Sequence, residues 1–353
     1  MRTDLDIFKT FIYGAELMDT AVKPIAFWLY VCAAMVVAMM LIGAATRLTE
    51  SGLSMVEWRP LFGWLPPMTE AEWNRIFELY RQTSEYRIQH YGMELPAFKT
   101  IFWWEYIHRV WGRLIGLVFV LPLLWFVAKR RLPRHLTPHL ILLLFLGSMQ
   151  GFVGWWMVKS GFVDREDVSQ YRLVAHLSVA LLILAYLLWL AVGLNFNRGQ
   201  QEKLSRKWPV WVIFIIFFLT IISGGFVAGL NAGVIYSDWP SMGGTFMPSD
   251  YNTSNFWWIN ALENPAAAQF HHRLLAYCSV AAALWFCWII HRQEIDPKWL
   301  ILAKVVAAVA VLQLIIGIAT LLSVVPTGLG VIHQLGAITL FCLAVLSLRL
   351  AYL

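Results

Sequence analysis

Four of the nine histidines occupy comparable places in the chain. His108, His176, His272 and His333 each lie five or six residues inside an apolar stretch. At 1.5 Å of rise per residue, all four would sit about 8–9 Å below the same end of their helices. Two imidazoles on separate helices at one depth, once per half of the chain, form a haem-ligation pattern in a four-helix bundle. For any one of these histidines alone, a core side chain bonded to a carbonyl is the better reading; the matched set of four argues for two bis-histidine pockets. A zinc or non-haem iron site would want further His or carboxylate ligands at that depth, and the second half offers none. His271 points about 100° away from His272 around the helix and is not taken as a ligand. His90, His135, His139 and His291 fall in loops or at span ends and read as ordinary surface or interface positions.

Ionisable residues beside these ligands need a reason, because charge inside a bilayer is costly. Arg109 and Arg273 directly follow His108 and His272, and Arg113 lies one turn further on. Guanidinium is a bidentate partner for carboxylate, so the three arginines are candidates for haem propionates. Pairing of Arg109 with Glu105 at i, i+4 is the equal alternative. Glu105 shares a helix face with His108 at i, i+3, and Gln269 holds the same place before His272. A carboxylate can move protons or stabilise a developing cation, and an amide can do neither. One pocket therefore looks equipped for chemistry and the other for holding a redox cofactor, with structural salt-bridging of Glu105 as the competing reading.

The elements that position these side chains are membrane spans. Of 353 residues, 59% are hydrophobic and 14% charged, against roughly 25% charged in soluble domains. That excludes a water-soluble enzyme, and the 19 Trp, 22 Phe and 12 Tyr suit interfacial belts. Apolar runs at about 24–46, 102–128, 138–158, 171–194, 208–229, 266–291, 299–322 and 328–351 are expected to form eight helices in an all-α polytopic membrane protein. Basic residues gather at Lys129–Arg134, at Arg198–Lys207 and at Arg292 and Lys298, while 230–265 has no Lys or Arg. The positive-inside rule then places both termini in the cytoplasm and the two large loops outside. The net charge of +6 reads as cytoplasmic loop charge, with no nucleic-acid partner implied. Loop 47–101 is too long for a simple connection and is expected to fold as an extracytoplasmic cap, with a helix near 69–81 behind Thr69. Cys32, Cys278, Cys287 and Cys342 sit in apolar stretches and form no metal or disulfide motif. Acidic residues near the N-terminus argue against a mitochondrial transit peptide, and no cleavable signal is evident.

The eight spans read as two copies of four. Glu105-x-x-His108-Arg109 matches Gln269-x-x-His272-Arg273, Gln150-x-x-x-Gly154 matches Gln313-x-x-x-Gly317, and Val174-x-His176 matches Val331-x-His333. The first and fifth spans each end in a small-residue turn, Gly43-Ala-Ala and Gly224-Gly225. An internal duplication follows, giving two pseudo-symmetric four-helix bundles. The expected divisions are a cytoplasmic segment 1–23, a half 24–194, a cytoplasmic linker 195–207 and a half 208–353.

The run Thr46-Arg-Leu-Thr-Glu-Ser-Gly-Leu-Ser-Met-Val-Glu-Trp-Arg-Pro60, with Gly63-Trp-Leu-Pro-Pro67, resembles the heme A synthase family. So do Glu105-x-x-His108-Arg109, Gln150-Gly-x-x-Gly-Trp155 and Gly225-x-x-x-Gly-Leu-Asn-Ala-Gly233, and the likeness spans about 20–350. It is closest to the form of mitochondria and related proteobacteria, which lacks the extracytoplasmic cysteine pair of other members. The resemblance implies an oxidoreductase acting on a CH group, converting the C8 methyl of haem O to formyl by two hydroxylations and loss of water. It implies haem b as cofactor on His272 and His333, haem O as substrate on the His108 and His176 side, and Glu105 as catalytic. It further implies a bacterial inner membrane, a membrane electron donor, a haem O synthase partner and haem A delivered to cytochrome oxidase; a homo-oligomer is an open candidate. The runner-up from the residues is a dihaem b-type cytochrome that only transfers electrons, for which a carboxylate in one pocket and a long cap loop have no use. A transporter built on repeats would explain the duplication but not the histidines.

Overall fold

Proline marks where many of the helices begin. Pro96, Pro138, Pro209, Pro265 and Pro297 each occupy the first turn of a long helix, where the missing N–H has no intrahelical partner to lose. The computed structural model describes residues 4–57, 63–161, 167–195, 204, 206–253, 256–293 and 296–353, and only the backbone of 4–21 and Trp257. Trp58, Arg59 and Pro60 of the first-loop run, and Arg198 and Lys203 of the linker, lie outside the described residues.

The order is α1 (Asp4–Leu48), α2 (Glu70–Tyr80), α3 (Ser84–Ile88), α4 (Leu95–Ala128), α5 (Thr137–Ser160), α6 (Gln170–Asn195), α7 (Trp208–Gly229), α8 (Trp257–Glu263), α9 (Pro265–His291), α10 (Pro297–Leu322) and α11 (Thr327–Leu350). Among the described residues eight helices are long and apolar enough to cross a membrane: α1 from Val22, α4, α5, α6, α7, α9, α10 and α11. No strand forms among the described residues, beyond an isolated bridge between Met242 and Thr245. The fold is all-helical and polytopic, as the apolar runs require.

Helix contacts close two rings. In the first, α1 touches α4, α4 touches α5, α5 touches α6 and α6 returns to α1; in the second, α7, α9, α10 and α11 do the same. The rings meet where α6 packs on α7 and α11, and α1 on α11. A continuous core with Leu29, Leu140, Leu184 and Phe341 crosses that seam, and a second core with Phe217, Phe286 and Val306 lies inside the second ring. Large apolar side chains such as Leu121, Phe145 and Phe152 point outward, as a lipid-facing surface requires.

Two boundaries differ from the sequence expectation. α1 already begins at Asp4, well ahead of its apolar span from Val22. α4 begins at Leu95 rather than 102, because Phe98, Ile101 and Phe102 form a buried stripe at helical spacing while Lys99 and Thr100 stay outside it. His108 is therefore deeper along its helix than His176, His272 and His333 are along theirs. The extra turns of α4 rise into the cap.

The cap core joins Trp73, Tyr80 and Tyr86 to Phe98 and Phe102 of α4. α2 starts as the sequence suggests, with Thr69 Oγ1 accepting from the Glu72 N–H at 3.3 Å. His90 is more engaged than a surface position: its Nδ1 lies 2.6 Å from the Tyr80 hydroxyl and its Nε2 3.5 Å from Glu50. The Tyr80 hydroxyl donates to Glu85 at 3.0 Å. Burial pushes the Glu85 carboxyl from its ordinary 4.5 up to about 8, with like charge from Glu105, Asp167 and Glu50 adding and the Tyr80 bond opposing. A raised carboxyl pKa favours the fold below its unfolded value, and that contribution is lost as pH climbs to the folded value. Amide exchange protection across 83–90, corrected for intrinsic rate, should fall between about pH 5 and 8 and be flatter in Glu85→Gln. An unchanged slope in the variant would contradict this assignment.

At the same end of the molecule, Arg47 closes α1 onto α7. Its Nη2 donates to Asp167 at 2.6 Å, to Asn231 Oδ1 at 2.8 Å and to the Ala228 carbonyl at 2.9 Å. The carbonyls of a helix C-terminus lack intrahelical donors and carry partial negative charge, so a guanidinium is the fitting cap.

Candidate functional site

The second ring brings His272 of α9 and His333 of α11 together, with ring centres 6.3 Å apart and planes at 83°. A metal–imidazole bond of about 2 Å on each side puts two ring centres about 6 Å apart across one metal, so these two imidazoles would fit as the ligands that hold one haem iron. Ser223 Oγ lies 2.8 Å from His272 Nδ1, and the Gln313 amide nitrogen lies 3.1 Å from His333 Nδ1 and donates to the His333 carbonyl at 2.8 Å. His271 turns away to Tyr251, whose hydroxyl is 2.9 Å from its Nε2.

In the first ring the matching histidines are His108 on α4 and His176 on α6. Both Nδ1 atoms are buried and without a hydrogen-bond partner. Unpaired buried polar atoms are rare in folded proteins. Gln269 Oε1 and Gln313 Oε1 of the second ring share that condition. Among the described residues no three His, Cys, Asp or Glu side chains gather as a metal cluster. Paired imidazoles in an apolar bundle fit a haem better than a bare ion.

Each imidazole lies against a glycine on another helix of its ring. A methyl added to Gly43 would sit 3.1 Å from His108 Cε1, to Gly154 3.0 Å from His176 Cε1, to Gly224 3.1 Å from His272 Cε1, and to Gly317 2.8 Å from His333 Cε1. Gly43 and Gly224 are thus not turn residues, since α1 and α7 run past them to Leu48 and Gly229. Their role is close approach, which only a residue lacking Cβ allows.

Glu105 is 3% exposed. Its Oε2 accepts from Ser54 Oγ and from the Met55 N–H, each at 2.7 Å, and its Oε1 from Arg109 at 2.5 Å. The i, i+4 pair with Arg109 is therefore formed. Gln269 instead donates to the Tyr236 carbonyl at 2.9 Å. Both arginines also grip loop backbone: Arg109 the carbonyls of Met55 and Glu57, Arg273 those of Tyr236, Asp238 and Ser241. Arg113 donates to the Gly63 carbonyl and stacks on Trp64. A cleft between α2, the first loop and α4 is lined by Arg75, Arg109, Arg113, Glu57 and Phe102.

Known proteins share this sequence over nearly its whole length. A profile of the COX15-CtaA family, described as cytochrome oxidase assembly protein, matches residues 26–345. The chain belongs to this family. Relatives named heme A synthase include one from Rhodospirillum centenum, 48% identical over 96% of this chain and 91% of its own length. Others come from Parvibaculum lavamentivorans, 45% identical over 95% and 96%, and Caulobacter vibrioides, 42% identical over 91% and 94%. The two loop runs that resembled the family in sequence meet in this family member's fold, through the Arg47–Asn231 bond. Asp167 and Ser223 were missed in sequence; each is one polar residue in ordinary surroundings, and only three-dimensional proximity gives it a partner.

Proposed function

We propose that this protein is a heme A synthase, oxidising the C8 methyl of haem O to a formyl group by successive hydroxylations to give haem A for cytochrome oxidase. The reading rests on full-length kinship with proteins of that name. The observation within the chain that carries it is the single carboxylate, Glu105, matched by Gln269 beside otherwise equivalent histidines.

In this reading the spans form two pseudo-symmetric halves, 24–194 for the substrate and 208–353 for the cofactor. His272 and His333 hold haem b, which supplies one-electron transfer when bound. His108 and His176 hold the haem O substrate, and the cap over α4 excludes water from the methyl. Glu105, held by Ser54, Met55 and Arg109, presents its carboxyl group on the same helix face as His108, where it offsets positive charge developing on the methyl carbon or takes its proton. Arg109, Arg113 and Arg273 are our candidates for propionates; the loop carbonyls that Arg113 and Arg273 hold are neutral acceptors, which a carboxylate outcompetes, whereas Arg109 already pairs with the Glu105 carboxylate. The protein would lie in the bacterial inner membrane with both termini cytoplasmic, supplied by a haem O synthase and a membrane electron donor.

Acid–acetone extraction of the protein, purified after co-expression with a haem O source, tests this reading by chromatography and mass spectrometry. Haem A or a hydroxylated haem O beside haem b is the expected result. Haem b alone, with haem O unchanged in the membranes, would instead make the chain an electron carrier, and no haem at all would overturn both.

A further inference from the structure

The two histidine pairs differ in how their outer nitrogens are held. Ser223 Oγ has one hydrogen, and it is given to the Thr220 carbonyl at 2.7 Å. With the hydrogen so placed, Ser223 accepts from the His272 Nδ1–H, 2.8 Å away. That fixes the tautomer: the proton stays on Nδ1, and Nε2 keeps its lone pair for a metal. His333 is held differently: the Gln313 amide nitrogen, which can only donate, bonds the His333 carbonyl at 2.8 Å and lies 3.1 Å from Nδ1. In the first pair Gln150 likewise donates to the His176 carbonyl, at 3.1 Å, but no hydrogen-bond partner meets the Nδ1 of either His108 or His176. A methyl added to Gly43 would meet His108 Cε1 and Nδ1 at 3.1 and 3.6 Å, the same distances at which one added to Gly224 would meet those atoms of His272. The residue before Gly43 is Ile42, where Ser223 stands before Gly224. His108 Nδ1 and His176 Nδ1 are buried without partners, and Gln150 lies 3.4 Å from His176 on the other ring nitrogen, Nε2.

We propose that Ser223 is a positioning residue that locks His272 as a permanent axial ligand, and that apolar Ile42 at the matching place leaves His108 unlocked so that the haem on its side can exchange. The inference rests on the assignment of haem b to His272 and His333. Its physical basis is that a partner on the far nitrogen fixes the ring and raises the basicity of a metal-bound imidazole, and losing one typically costs 10–100-fold in metal affinity. An enzyme whose substrate and cofactor are both haems must hold one and release the other. Iron chemistry common to both cannot make that distinction, whereas the hydrogen bonds around the ligands can.

The test uses the purified holoprotein with Ser223→Ala, Ser223→Thr, Ile42→Ser and His272→Ala. Readouts are haem retained after gel filtration, the low-spin ferric resonance spectrum and the midpoint potential of the resident haem. Ser223→Ala should favour the ferrous form by about tenfold at fixed potential, about 59 mV for one electron, and retain less haem b. Ser223→Thr, which restores a hydroxyl, should return potential and spectrum to those of the unmodified protein. Ile42→Ser should slow the release of haem from the first pocket without moving the resident potential. An unchanged potential and spectrum in Ser223→Ala, or a change that Ser223→Thr does not reverse, would overturn the proposal. If His272→Ala keeps the full haem content and spectrum, the ligand assignment beneath it fails instead; loss of haem there with an unaltered Ser223→Ala sinks only the role of Ser223.

Discussion

Glu105→Gln should leave the protein folded with haem b at the unmodified level while product formation drops at least about 100-fold, the lower end of what a positioned acid–base group contributes. The substitution removes a charge and almost no volume. A glutamine carbonyl can still accept from Ser54 Oγ and the Met55 N–H, and Arg109 keeps the carbonyls of Met55 and Glu57. Breaking a buried ion pair by deleting one partner commonly costs 3–5 kcal/mol. Here the second ring already carries the substituted arrangement, with Gln269 bonded to a loop carbonyl and Arg273 holding three of them. That precedent argues the fold tolerates an amide at 105, so any loss is chemical. The measurement is the haem A to haem O ratio per haem b in purified variant and parent. Full activity would remove the carboxylate from the mechanism and reduce Glu105 to a cap anchor.

Much of this was written in the residue types, and the failures have identifiable causes. The eight spans were legible because each is a long apolar run bounded by basic or turn-forming loops, with the second and sixth interrupted by polar and charged residues near one end. α4 was the exception: Lys99 and Thr100 ended the apolar run, yet the stripe of Phe98, Ile101 and Phe102 carried the helix into the cap. The four histidines were legible only through the repeat. Gly43 and Gly224 were visible but misread, since a glycine near a span end signals a turn as readily as a close contact, and the imidazole it faces is on another helix. Ser223 was invisible for a similar reason. A serine in an apolar helix ordinarily bonds its own preceding turn, as this one does, and its second partner comes from α9. The fate of Arg109 was an even choice between partners, and the formed pair with Glu105 reflects proximity along one helix face, with loop carbonyls taking the remaining donors.

His272→Ala and His333→Ala should each strip most haem b from the purified protein, while His108→Ala retains it. The argument is one of anchorage. His272 and His333 face each other at 6.3 Å, and each has a partner at its Nδ1. Removing either leaves one ligand and a cavity where an imidazole had packed against Gly224 or Gly317. Removing His108 opens its space against Gly43 in the other ring, behind the seam of α6 with α7 and α11, and touches neither of these anchors. Pyridine haemochrome content per protein, read with the optical spectrum of the reduced haem, separates the cases. A large loss in the second-ring variants with near-normal content in His108→Ala places the resident cofactor in 208–353. Equal losses in all three would reverse that logic: both rings would then hold haem b permanently, the substrate would lack a pocket of its own, and the electron-carrier reading would become the better account of the same four histidines.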